Sequence, residues 1–207
     1  MSTFIHPTSI IGPEVSLGEN ISIGPYCIIR NCSIGSGTKI WSHSCIGTEA
    51  EHRDYFDSAE GFVVIGNDCV IREFTTINRG TEIPTIVGNQ VIMLRGSHVG
   101  HDAHIENNVT LSCNVLIGGH AKIFKHSNLG LGSVVHQRCA VPSYTMLGMN
   151  STWTKKTIHA PGGKYIGSPA RLLGKNINAE TKKYGDSFDY YMEVELERIK
   201  EWLKQQS

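Results

Sequence analysis

The chain has no CxxC pair, no surplus of charge of either sign, and no apolar run approaching the roughly 20 residues of a membrane-spanning helix. Each absence excludes something. Lys plus Arg and Asp plus Glu both number 19, so there is no basic excess to hold a nucleic acid or an anionic membrane surface. The opening residues, MSTFIHPTSIIGPEV, carry no basic segment followed by an apolar core, and the chain reads as cytoplasmic. In that compartment the six scattered cysteines, at 27, 32, 45, 69, 113 and 139, suit small buried thiols rather than bridges or metal ligands. A length of 207 residues fits one sizeable domain with an appendage.

What is present is a beat of six. From Val87 an aliphatic side chain or a near relative recurs at Met93, Val99, Ile105, Leu111, Ile117 and onward to Leu147 and Trp153. Gly often follows it, and a small residue such as Ser97, Ala103, Ala121 or Ser133 comes later in each repeat. The beat also runs through Ile11, Leu17 and Ile23, through Ile34, Ile40 and Ile46, and through Ile65, Ile71 and Ile77. One step is a residue short, read between Ile23 and Ile28 as a tightened corner. Neither a helix (3.6) nor an alternating strand (2) generates this period. A hexapeptide β-helix does: each repeat supplies one short strand and one turn, and three repeats close a triangular coil. The coil domain spans 1–173, and 174–207 forms a helical tail.

Two excursions interrupt the beat. Thr48 to Phe62 (TEAEHRDYFDSAEGF) is charged and off register, and Glu82 to Ile86 is shorter. Loops thrown from a rigid scaffold are common carriers of binding residues. Beyond the turn GSPAR, Asp186 or Ser187 can cap a helix whose apolar stripe is Phe188, Met192, Leu196, Ile199 and Leu203.

The segment 98–120 adds chemistry to the scaffold, with histidines at 98, 101, 104 and 120. One coil is three hexapeptides, so residues 18 apart lie one above the other. His101 then stacks beside Gly119, Asp102 beside His120, and Gly118 beside His136. An imidazole beside a free backbone N–H is what acyl transfer needs. The ring takes the proton from the attacking group, and the N–H stabilises the oxyanion by about 2.7–4 kcal/mol. Asp102 can hold the ring in the useful tautomer. Zinc bound by His98, His101 and His104 is the competing chemistry. Residues three apart sit on opposite halves of a turn, however, and the five-residue histidine spacing of the carbonic anhydrases with this fold is absent. A γ-type carbonic anhydrase-like zinc enzyme and a non-catalytic scaffold subunit remain the alternatives.

The runs IGNDCVIREFTTINRGT, HVGHDAHIENN, LIGGH and VHQ, flanked by IHPTSIIGPEVSLG and GSPARLLGKN, resemble the UDP-N-acetylglucosamine O-acyltransferases that start lipid A synthesis. The resemblance implies that the coil is left-handed and the protein a trimer with active sites in the clefts between subunits, so the expected fold is an all-β, left-handed parallel β-helix followed by the short C-terminal α-helix read from the apolar stripe. It implies His101 as general base, Asp102 as its partner and Gly119 as oxyanion donor. His98, His120, His136 and the adjoining Gln137 would contact substrate, and Asn176 falls near a nucleotide-binding position, as do Lys182 and Lys183. Two departures stand out. The loop carries His52-Arg53-Asp54 where the family places sugar-phosphate contacts, so Arg53 is a candidate there. The family's longer C-terminal helical region is shortened, which makes acyl-CoA a candidate donor beside acyl carrier protein. Met149 lies where the acyl chain would extend, and its bulk implies a short or medium chain. The expected activity is transfer of an acyl group from a thioester to a hydroxyl or amine of a nucleotide sugar, for envelope lipid or polysaccharide. No bound cofactor or metal is expected.

Overall fold

The computed structural model describes residues 2–56, 61–157, 159–178 and 188–205. Short strands, most of them two residues long, alternate with tight turns and stack into three sheets of ten, eight and seven strands. Pairing within the coils is parallel throughout. From Thr85 onward the partner in the next coil is 18 residues away: Val87 faces Ile105, Leu111 faces Leu129, and Leu116 faces Val134. The aliphatic of each repeat fills the prism, and Val99, Ile105, Leu111, Ile117 and Ile123 have no exposed surface. Each such side chain contributes roughly 1.5–3 kcal/mol relative to an exposed one. The small residue occupies the tight inside of the corner, where Ser97, Ala103, Val109 and Ser133 are equally buried.

The shortened step is not between Ile23 and Ile28. Ile29 takes the inward position and Ile28 faces out, so the short step runs from Ile29 to Ile34. Asn31 turns that corner at a φ of 43°. The pairing offset falls accordingly from 18 (Ile10 with Ile28) to 17 (Ser16 with Ser33). The second excursion also shifts. Thr85 is already in a strand paired to Val63, which places the loop at 79–84 rather than 82–86.

The coil ends on Trp153 and Tyr165, both buried, with ring centroids 4.7 Å apart. An antiparallel hairpin, Gly163–Ile166 with Arg171–Lys175, then closes the ten-stranded sheet. Helix α1 (Phe188–Gln205) packs on the seven-stranded sheet, where Ile199, Trp202 and Leu203 cluster with Phe124 and Ala140. Its buried face reads Phe188, Met192, Glu195 and Ile199, so Glu195 takes a place the apolar stripe had assigned to Leu196. The reason is charge: Glu195 accepts from the Ser143 hydroxyl and pairs with Lys125 and Arg198. The expected caps Asp186 and Ser187 lie outside the described residues. All six cysteines are free; four of them, Cys27, Cys32, Cys69 and Cys139, sit in the core. Burial pushes the Cys32 thiol up to about 12, which leaves it inert. Among the described residues no helix is long and apolar enough to cross a membrane.

Candidate active site

The corner that follows each strand of the eight-stranded sheet carries the cluster. His101 and Asp102 turn one coil, and Gly119 and His120 turn the next directly above them. The stacking is fixed by the strand register (Val99 with Ile117) and by the His120 N–H donating to the His101 carbonyl at 2.9 Å. The 18-residue arithmetic therefore places these residues correctly.

Asp102 is the anchor. Its carboxylate accepts from the backbone N–H groups of Thr81 (2.9 Å), Glu82 (2.8 Å) and Ile83 (2.8 Å) and from the Thr81 hydroxyl (2.8 Å). The loop at 79–84 is thus a backbone cage for one acid. Burial alone would raise the Asp102 pKa; the donors from His101, Ile83, Glu82 and Thr81 outweigh it and hold the carboxylate well below the usual range. An ionised carboxylate only accepts, so the 2.6 Å contact with His101 Nδ1 puts the proton on Nδ1. Nε2 is left with its lone pair, as a general base requires.

That nitrogen lies over Gly119. A Cβ added at Gly119 would stand 2.6 Å from His101 Nε2, so only glycine admits the ring in this position. Among the described residues the Gly119 N–H has no acceptor. The first corner residue of the flanking coils, His101 or Gln137, likewise has no N–H bond. A free N–H is thus a property of the corner. What is particular to Gly119 is the lone pair beside it.

Three more imidazoles surround His101. His120 meets it edge-on at 5.2 Å between centroids, with Nε2 3.7 Å from Asp102. Burial lowers the His120 pKa, Asp102 opposes that, and Arg138 reinforces it. His98 stands on the outer face of the strand, its Nδ1 2.8 Å from the Thr76 hydroxyl; burial lowers its pKa too, with Glu51 opposing. The third, His52, reaches in from the 48–62 loop, edge-on at 5.5 Å from His101 and braced by Tyr55. His101, Asp102 and His120 have ligand atoms within 4.8 Å of one another, a spacing a metal could use. The Asp102 oxygens, however, already hold four donors besides His101, so the chemistry of the set favours a hydrogen-bonded dyad over a metal centre.

The remaining candidates divide. His136 and Gln137 are exposed on the same corner one coil above Gly119. Arg53 is exposed beside His52 and has no ion-pair partner among the described residues; its neighbour, His52, approaches the cluster. Met149, 65% exposed, turns a different corner, between the ten- and eight-stranded sheets. Asn176 is buried, with its amide donating to the Tyr144 carbonyl on the third corner, so within one subunit it lies apart from His101. His104 faces outward on the seven-stranded sheet, where burial, with Lys122 and Arg198, brings its pKa down to about 4 against Glu106. His52 and the 81–83 cage went unassigned in the sequence because both lie on loops outside the six-residue register.

The chain matches no protein-family model. It is 34% identical over 205 residues to the acyl-[acyl-carrier-protein]–UDP-N-acetylglucosamine O-acyltransferase of Sinorhizobium fredii, spanning 87% of this chain and 74% of that one. The enzyme of the same name from Rhizobium johnstonii is 32% identical, over 85% and 65% of the two chains. Among solved structures, UDP-N-acetylglucosamine O-acyltransferase from Moraxella catarrhalis superposes with a TM-score of 0.74 at 30% identity, covering 92% of this chain and 82% of the other. The acyltransferase from Bacteroides fragilis gives 0.80 at 27%, covering 92% and 83%. A β-solenoid bearing a histidine–aspartate dyad against a glycine, with relatives of this identity over most of its length, places the chain in the UDP-N-acetylglucosamine O-acyltransferase family, as an acyltransferase.

Proposed function

We propose that this chain moves an acyl group from an acyl carrier protein thioester to a hydroxyl of UDP-N-acetylglucosamine or a closely related nucleotide sugar, in the cytoplasm, for envelope lipid synthesis. The observation that carries the reading is the Asp102–His101–Gly119 arrangement: a fixed carboxylate, a tautomer set by it, and a basic nitrogen beside a free N–H. His101 Nε2 takes the proton from the acceptor hydroxyl as its oxygen attacks the thioester carbonyl. The Gly119 N–H donates to the oxyanion of the tetrahedral intermediate. Collapse breaks the carbon–sulfur bond, and the imidazolium returns its proton to the departing thiolate. His98, His120, His136, Gln137 and His52 supply donors and acceptors for the sugar around that point.

The substrates follow the names of the relatives. The trimer follows the family resemblance and the separation of Met149 and Asn176 from His101 within one subunit: these residues complete a site only if a neighbouring subunit presents them. His101→Ala should lower turnover of a carrier-protein thioester with UDP-N-acetylglucosamine by about 10²–10⁴-fold with the circular dichroism spectrum unchanged. Turnover near the unsubstituted level in that variant sinks the assignment, and a monomer in light scattering sinks the trimer.

A further inference from the structure

One corner of the coil carries three aromatic rings in a column. Tyr26, His43 and Phe74 turn successive coils between the ten- and eight-stranded sheets, and the N–H groups of His43 and Phe74 donate to the coil beneath, at the Pro25 and Ser42 carbonyls. The ring centroids lie 5.2 and 5.0 Å apart. All three residues have a φ of 59–60°, a conformation that suits Gly and Asn, and the same corner holds Gly96, Asn114, Gly132 and Asn150 in the coils above. Bulky rings there bear a backbone cost, and they bear it facing water: Tyr26 is 58% and Phe74 55% exposed. Another corner shows what such a stack can do. His126 and Tyr144 also have positive φ and stack at 4.8 Å, with the same 19° between ring planes as His43 and Phe74. That pair is covered, for Tyr144 is 3% exposed and clusters with Phe188 and Met192 of helix α1. Among the described residues nothing covers the Tyr26–His43–Phe74 ridge in this way.

The opposite edge of the eight-stranded sheet is hollow at the same height. Tyr26, His43 and Phe74 lead into Ile28–Ile29, Cys45–Thr48 and Thr76–Asn78, and these strands lead out to Arg30, Glu49 and Arg79. Those three residues, with the exposed Ile10 and Phe56, line an open cleft of about 940 Å³. Each ring of the ridge thus shares its coil with one wall of the cleft. Between ridge and cleft, the outward residues of the sheet, from Ile10 through Cys45 and Leu116 to Thr152, include no Lys, Arg, Asp or Glu. The ten-stranded face carries Lys39 and Lys164, and the seven-stranded face Lys122. Copies related by rotation about an axis parallel to the coil keep their heights. With the uncharged face turned toward that axis, the ridge of one copy meets the cleft of the next. Covering the ridge removes roughly 300 Å² of ring surface from water, a third or more of the ~800 Å² that a stable interface buries on each side.

The cleft also underlies the active site. The Glu49 carbonyl accepts from the Asn78 amide at 2.7 Å, its carboxylate pairs with Arg79, and the His52 N–H donates to the buried Ala50 at 2.8 Å. Glu49 and Phe56 stand on either side of His52 in the chain, and both face the cleft. We propose that the Tyr26–His43–Phe74 ridge of one subunit seats in the Glu49–Phe56 cleft of a second copy and braces the loop that brings His52 to His101. The catalytic cluster is then incomplete in a lone subunit. The proposal rests on the trimer read above, in which the corner that also carries Met149 faces the neighbour.

The test combines Tyr26→Asn, His43→Asn and Phe74→Asn, changes that the φ of this corner tolerates. Phe4→Ala, as exposed as Phe74 but on the ten-stranded face, is the control. Phe56→Ala probes the same contact from the loop and leaves the coil untouched. Light scattering over a dilution series reads assembly, circular dichroism reads the fold, and amide hydrogen exchange reads residues 49–56. The triple variant should dissociate at concentrations about 10²-fold or more above those of the unsubstituted protein and the control, and Phe56→Ala about 10-fold above, with the β spectrum retained. On dissociation, exchange at 49–56 should accelerate about 10-fold or more while exchange from Val99 to Ile123 stays constant. Assembly unchanged in the triple variant and in Phe56→Ala overturns the contact and leaves the trimer standing. Dissociation of the control as readily as the triple variant overturns it as well, and dissociation with unchanged exchange at 49–56 overturns the brace. A monomeric unsubstituted protein overturns contact and trimer together. If the ridge variants dissociate while no nucleotide sugar is acylated even by the unsubstituted protein, the contact stands and the proposed reaction falls.

Discussion

With three backbone N–H groups and a threonine hydroxyl on its carboxylate, Asp102 is committed to the ionised form before any substrate arrives. The tautomer of His101 follows from that commitment, and so does the sensitivity of its neighbour. Gly119→Ala would place a methyl carbon 2.6 Å from His101 Nε2, closer than any packed pair tolerates. The ring must swing off Asp102, and kcat should fall about 10²-fold or more while the melting temperature moves by only a few degrees. Unchanged kinetics in this variant would remove the close approach from the mechanism. Asp102→Asn keeps the shape but turns one acceptor oxygen into a donor facing backbone N–H groups. It should cost about 1–3 kcal/mol of stability in urea titration as well as activity. The pairing of His101 with Gly119 was legible in the sequence because both obey the 18-residue register. The cage of Thr81–Ile83 and the approach of His52 were not, since loop geometry is set by chain closure and local hydrogen bonds that leave no period to read.

At the scale of one element, helix α1 is clipped to the coil by charge as much as by Ile199. Arg198 bonds both oxygens of Glu106 and reaches Glu195, while Lys125 and Ser143 hold Glu195 from the sheet side. Arg198→Met should leave Glu106, whose side chain is 8% exposed, short of its main partner, at a cost of about 2–3 kcal/mol in chemical denaturation. His104 sits beneath this clip with Lys122, Arg198 and Glu106 around it. Its pKa in the fold is about 4, below the ordinary 6.5, so the unfolded chain takes up the proton first. Stability from the neutral ring is complete above pH 6.5 and is lost as pH falls from there toward about 4, by about 1–2 kcal/mol after allowance for partial exposure. The melting temperature should drop across that window, and His104→Leu should flatten the drop; an equal slope in both proteins would refute the assignment. The apolar stripe made the helix visible in the sequence, but the buried Glu195 broke the pattern because its partners lie on residues 52 and 70 positions away.

On the scale of the whole molecule, a net charge of zero conceals an acidic run over residues 1–106 and an acid-free run over 107–179, against which helix α1 sets its own acids, Glu195 on Lys125 and Asp189 on Lys175. Composition alone excluded a basic surplus; the order of the charges along the coil shows that the sum hides an uneven distribution. At pH 7 and low salt the protein should be retained on both cation- and anion-exchange resins, and a variant with the exposed Arg138, Lys155 and Lys156 all changed to Ala should lose cation-exchange retention. Flow-through on both resins would show that the division is screened or buried in the assembly. The three-fold coil has one more consequence, for heredity rather than chemistry. From Thr85 to Trp153 every catalytic neighbour is defined by an offset of 18. A gene duplication or deletion of six codons in this stretch would rotate everything downstream by one face of the prism, setting the turn of Lys155 and Lys156 on the wrong edge. One of 18 codons would keep every face and merely lift the upper part by one storey. Length variation among descendants of this gene should therefore come in multiples of 18 between the catalytic turn and the end of the coil, and in any number within the 48–62 loop.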